Sequence, residues 1–175
     1  MILETRRLIL RPFRQEDLDR LVELMANGDF MRFSAGPRTH EETQETLQKF
    51  LCWQDGGLPY PFAVVLRETN QVVGYCGFLH HQEFPNEIEI GYRLDSNYWN
   101  RGLITEAARA VRDYAFGTLK LTRVISLIHP ENNPSRRVAQ KLGLIPEREI
   151  TFHGFPATLF ALTQAEWQAA GNGAG

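Results

Sequence analysis

The stretch "YWNRGLITEA", Tyr98 to Ala107, sets an arginine beside a glycine between an aromatic pair and a run with helical spacing. The first amides of a helix have no intrahelical acceptor, so such an end attracts phosphate. Gly102 lets the backbone approach a ligand closely, and Arg101 can add a charge-assisted hydrogen bond to a phosphate oxygen. The predicted phosphate cradle runs over Asn100, Arg101, Gly102, Leu103, Ile104 and Thr105, with the helix expected to begin near Thr105. A plain strand-to-helix turn explains the same residues, and that alternative stays open at this point.

Other reactive residue types are sparse. Cys52 and Cys76 form no CxxC pair, and no histidines stand at metal-ligand spacing. Neither a disulfide framework nor a metal site is expected. His80 and His81 are adjacent, and neighbours at a strand end point opposite ways, which suits a shared metal poorly. Glu89 lies on the face opposite Ile88 and Ile90 in "EIEIGYRL", where a carboxylate is either a candidate base or simply solvated.

These residues need a scaffold, and 175 residues with 43% hydrophobic and 23% charged positions suffice for one well-buried domain. The expectation is a single domain over 1–170 with a disordered tail at 171–175. A formal net charge of −2 with scattered basic residues argues against nucleic-acid and membrane partners. The N-terminus has no basic head followed by an apolar run, and no stretch approaches a membrane span, which predicts a soluble cytoplasmic protein.

Periodicity assigns the elements. "RRLILRPF" alternates as a strand, and Leu18, Leu21, Val22 and Leu24 follow at helical spacing. Thr39 and Glu42 open a second helix with a capping-box pattern. Phe62 to Arg67 and Val72 to Leu79 read as a hairpin, and Gly91 within the next strand suggests a bulge or a close ligand. A helix ending at Gly117, a strand in "TRVISLIHP", a shorter helix from Pro134 to Gly143 and a closing hairpin complete the chain.

Four segments in order, "ETRRLILRPFRQEDLDRL", "VVGYCGF", "EIEIGYRLDSNYWNRGLITEAA" and "HPENNPSRRVAQKLGL", resemble the GNAT acetyltransferases, in particular the branch of ribosomal-protein N-terminal acetyltransferases. The resemblance covers nearly the whole chain. It implies an α/β (α+β) fold: a mixed, mostly antiparallel, V-splayed sheet of about six or seven strands flanked by about four helices. It also implies acetyl-CoA as co-substrate. A bulge at Gly91 to Arg93 would free backbone near Tyr92 and Leu94 to pair with the pantetheine arm, with pyrophosphate on the Asn100 to Thr105 amides. Asn132 and Ser135 match the family's N-x-x-S pattern at the thioester end.

Three positions depart from that pattern. Asn100 and Ile104 stand where the family commonly has small residues, and Ala139 stands where related enzymes often carry a tyrosine acid. Ser135 is then the first candidate to protonate the leaving thiolate, with Glu89 and Glu149 as candidate bases. A lysine amine near ~10.4 is only about one part in a thousand neutral at about pH 7.4, whereas an α-amine near ~7.7 to ~8.0 is roughly a quarter neutral. The favoured acceptor is therefore the α-amine of a protein N-terminus or a small molecule. An acyl-CoA-binding module without catalysis is the alternative. Oligomeric state stays open, a homodimer included.

Overall fold

The computed structural model describes residues 1–172, so the end of the expected tail, 173–175, lies outside the described residues. Among these residues, β1 (Leu3–Glu4), β2 (Leu8–Pro12), β3 (Pro61–Leu66), β4 (Gln71–Leu79), β5 (Glu89–Leu94), β6 (Arg123–Ile128), β7 (Ile145–Phe152) and β8 (Phe155–Thr163) form one eight-stranded sheet. Its order is β1-β2-β3-β4-β5-β6-β8-β7. Five α-helices accompany it: α1 (Leu18–Met25), α2 (His40–Asp55), α3 (Leu103–Gly117), α4 (Asn133–Lys141) and α5 (Gln164–Trp167). The sheet thus has one strand more than the upper expectation, the two-residue β1, and α5 is the extra helix. After α5 the chain makes a further turn over Gln168–Asn172, in which Gly171 is left-handed at φ 77°.

The sheet is covered on both faces at its centre, which is why "PFAVVL" of β3 is apolar at every position. Phe62, Val64 and Leu66 pack on one face with Ala107, Ala108 and Val111 of α3, Val138 of α4 and Leu142 just past it. Ala63 and Val65 pack on the other with Leu21 and Leu24 of α1 and Leu47 and Phe50 of α2. The Thr39 capping box forms as expected, with Thr39 Oγ1 accepting from the Glu42 amide and Glu42 accepting from the Thr39 amide. No helix among the described residues is long and apolar enough to cross a membrane.

Every neighbouring pair is antiparallel except β5 and β6, which run parallel and share only the Glu89 to Ile125 pairing. Pairing of β5 with β4 runs unbroken from Glu89 to Leu94, so the expected bulge at Gly91 to Arg93 is absent. The register shifts lie instead between Val64 and Val65 of β3 and between Pro146 and Arg148 of β7. What frees the far edge of β5 is divergence from β6, not a bulge. Gly74 keeps the β4 side tight, since a Cβ there would lie 2.1 Å from the Arg93 carbonyl oxygen.

Candidate active site

At the root of the split, the Ile125 amide donates to Ile88 O at 3.0 Å, beside the single Glu89 to Ile125 pairing. The next two groups are satisfied by side chains. Ser126 Oγ donates to Ile90 O at 2.7 Å, and the Leu127 amide donates to Glu89 Oε1 at 3.1 Å. Side chains thus take over from the ladder at Ile90 O and the Leu127 amide, where the strands part. Glu89 was expected on a polar face with solvation as the simplest outcome. It is instead buried, with its second oxygen 2.5 Å from His81 Nε2.

Beyond the split, Tyr92 faces α4, where its hydroxyl donates to Ser135 O at 3.0 Å. Burial, with smaller contributions from Cys76 and Glu89, raises the phenol above its ordinary range and keeps it a donor. Asn132 is the N-cap of α4, its Oδ1 accepting from the Ser135 amide at 3.2 Å. The Ser135 hydroxyl makes no hydrogen bond among the described residues and is not a buried orphan, so it reaches solvent. Ala139 is fully buried on the core side of α4. The Leu94 carbonyl is engaged by Trp99 Nε1 at 2.8 Å, which leaves less of this residue for a ligand than the sequence implied.

The loop between β5 and α3 has Asn100 at φ 58° and Gly102 at φ 73°, two left-handed residues flanking Arg101. Alternation of this kind turns successive amides into a concave anion nest. The helix begins at Leu103, two residues before the expected Thr105, with Gly102 as N-cap. Its first intrahelical bond is Glu106 N to Gly102 O, so the Leu103, Ile104 and Thr105 amides have no intrahelical partner. Ile104 packs its side chain against the α3-side core, so its bulk does not lie free in the nest. Arg101 lies over the Tyr98 ring at 5.4 Å.

A brace absent from the sequence-based expectations holds this helix end. Arg7 donates through Nε to Glu106 Oε2 at 2.7 Å and through Nη1 to Arg101 O at 2.8 Å, while Thr5 Oγ1 donates to Glu106 Oε1 at 2.6 Å. Burial, the largest single influence on Glu106, pushes its pKa up. The bonds from Thr5 and Arg7 outweigh that and leave it lowered. The first turn of α3 therefore carries a carboxylate that is already paired, with the nest left for another anion.

On the opposite face of the sheet, Arg93 holds the loop between α1 and α2 by donating to Phe30 O at 2.7 Å and, through Nε, to Tyr75 Oη at 3.1 Å. Phe33 of that loop stacks on His129, just past β6, with ring centroids 5.3 Å apart. His80 and His81 do point apart, His80 Nε2 to Pro59 O and His81 to Glu89. Glu149 lies on β7, where it pairs with Thr158 on β8, which in turn pairs with Ile128 on β6. Thr158 Oγ1 donates to Glu149 and accepts from Arg136.

Comparison with known proteins agrees with this architecture. The sequence model of the acetyltransferase (GNAT) domain matches residues 7–145. An uncharacterized N-acetyltransferase of Bacillus licheniformis, p20, is 31% identical over 154 residues, covering 84% of this chain and 86% of the relative. A GNAT-family acetyltransferase structure from Bacillus anthracis superposes with a TM-score of 0.79 at 29% identity, over 94% of this chain and 99% of the other. A ribosomal L7/L12 α-N-protein acetyltransferase, RimL, solved with coenzyme A, shares the fold at a TM-score of 0.77 and 18% identity, over 93% and 98% of the two chains. The divided sheet, the amide nest opening α3 and a domain match over most of the sequence place this chain in the GNAT family, as an N-acetyltransferase.

Proposed function

We propose that this protein transfers the acetyl group of acetyl-CoA to the α-amine of a protein N-terminus or of a small molecule. The observation that carries the reading is the edge of β5 left without a β6 partner beyond Glu89, leading directly to the nest at Asn100 to Thr105. An amide-bearing pantetheine arm can hydrogen-bond such an edge as an added strand does, near Tyr92 and Leu94, while pyrophosphate rests on the nest amides. Arg101 supplies a cation beside that nest, and Asn132 fixes the helix end at the reacting group.

Acetyl-CoA supplies the activated acyl group. The chain's own residues position and move protons. The amine nitrogen forms a bond to the carbonyl carbon as the carbon–sulfur bond breaks, and sulfur leaves as thiolate. Ser135, whose hydroxyl reaches solvent, donates a proton to it and is resupplied by water. Positioning rather than a covalent enzyme intermediate provides the main acceleration. Cys76 is buried with its thiol pKa raised by desolvation, which suits a structural thiol and not a nucleophile.

A cytoplasmic setting accords with both cysteines being unpaired. Favouring the α-amine follows from its larger neutral fraction, and the relative solved with coenzyme A is itself described as an α-N-protein acetyltransferase. The buried Ala139 favours one other reading, a catalytically silent acyl-CoA binder. Mass spectrometry of peptides incubated with the protein and acetyl-CoA separates the two. Acetyl on the N-terminal nitrogen, formed faster than on lysine side chains or polyamines, is expected; faster side-chain or polyamine acetylation contradicts the α-amine preference, and binding without CoA release supports the silent binder.

A further inference from the structure

We propose that His81 takes the proton from the attacking amine, and that Glu89 is the positioning residue that holds the imidazole in the productive tautomer. This rests on the N-acetyltransferase reading above and adds its proton path. His81 follows β4 and Glu89 opens β5, so the pair bridges the two strands at the root of the split. Nε2 and Oε2 are 2.5 Å apart, with side-chain exposures of 16% and 10%. The other Glu89 oxygen receives the Leu127 amide at 3.1 Å and cannot swing away without orphaning it.

That geometry assigns the tautomer. A carboxylate only accepts, so the His81 proton sits on Nε2 and the lone pair on Nδ1. Nδ1 has no hydrogen-bond partner among the described residues, yet among these same residues no side-chain nitrogen or oxygen is both buried and unpartnered. Nδ1 is therefore open to solvent or to an incoming amine. The Phe152 ring meets the imidazole edge-on at 4.8 Å and limits its rotation. Glu89 itself has one oxygen on an imidazole and the other on a backbone amide, which makes it a poor direct base.

The charged and titratable groups facing His81 are Glu89 from β5 and Glu83 from the β4–β5 connection. His153 of the β7–β8 turn meets Glu83 at 3.1 Å. Burial, the largest influence, lowers the His81 pKa, but the hydrogen bond to Glu89 and the charges of Glu89 and Glu83 outweigh it and leave it raised. A base of this kind accepts a proton from an α-ammonium near neutral pH. In balance, RNH3⁺ and the thioester give the amide, the thiol and one proton, which passes through Nδ1 to water.

The test compares wild type with His81→Gln and Glu89→Gln. Gln at 81 keeps a donor for Glu89 but titrates nothing. Gln at 89 keeps an acceptor for the Leu127 amide but can donate to Nε2, forcing the imidazole proton onto Nδ1. Calorimetry with acetyl-CoA and thermal melting check the site and fold. CoA release is followed against pH with a peptide bearing a free N-terminal alanine, and with the same peptide carrying an aminooxy group, whose nitrogen stays neutral near pH 7. Ring NMR of His81 in the ligand-free protein reports its titration.

Acetyl-CoA binding is expected to match wild type in both variants, with kcat down about 10²-fold or more. The wild-type acid limb, above the ordinary 6.5 of histidine, is expected to disappear in His81→Gln even with the aminooxy peptide. In Glu89→Gln the His81 titration moves down. Wild-type kcat and acid limb in His81→Gln overturn the proposal, as does a change confined to the acceptor KM. Absence of acetyl-CoA binding by wild type overturns the acetyltransferase reading as well, which separates the two failures.

Discussion

Ser135 occupies the first turn of α4 with its amide held by Asn132, its carbonyl by Tyr92 and its hydroxyl unengaged. Replacing it by alanine removes a donor without disturbing those backbone bonds. Ser135→Ala is therefore expected to lower kcat by about 10²-fold while leaving the acetyl-CoA Kd within error, read by steady-state kinetics and calorimetry. Unchanged turnover would take Ser135 out of the mechanism and leave Tyr92, the other hydroxyl bound to this helix end, as the donor to examine. At this scale, sequence disclosed residue types but not their partners. Glu89 was legible as a carboxylate on the polar face of a strand. That it is buried against His81 depends on how the β4–β5 connection folds back, which no periodicity encodes.

Among elements, the most consequential is the N-terminus of α3, where a nest must stay open for an anion although an acid stands in the first turn. Glu106 is kept from competing by Thr5 and Arg7 of the β1–β2 connection, partners about a hundred positions away in the chain. Because the folded-state pKa of Glu106 is depressed, its stabilisation is present above the ordinary 4.5 and is lost as pH falls through the lower folded value. Glu106→Gln is expected to cost about 1 kcal/mol at pH 7, a gap that closes as acid titrates the wild-type carboxyl, measured by urea unfolding across pH. A gap that persists undiminished in acid would show the contribution to be packing instead. The elements themselves were legible: the capping box at Thr39, the β3–β4 hairpin and the α3 spacing all follow from local chemistry. The short β1 was not, because two residues carry no period, and neither was the mode of splaying. Gly91 suggested a bulge, whereas the strands part through Ser126 and Glu89 side chains whose partners lie on the other strand.

Over the whole molecule, the parallel β5–β6 junction divides one sheet into a five-stranded part and the β6-β8-β7 part. The two faces of the opening differ. The α3 and α4 side offers helix termini, suited to a phosphate-bearing ligand, while the opposite side carries His81, Arg93, Phe33 and His129. The proposed function puts the acceptor amine on that second side. The claim on which the rest depends is that the β5 edge and the nest bind acetyl-CoA, and calorimetric titration of wild type and Gly102→Val addresses it directly. Gly102 sits at φ 73°, where a β-branched residue costs about 1–2 kcal/mol or more, so the valine variant should distort the nest. The account predicts micromolar binding of acetyl-CoA and CoA by wild type, no binding of ATP, which lacks the amide arm, and affinity about tenfold weaker in the variant. No binding by wild type, or equal affinity in both proteins, would contradict it.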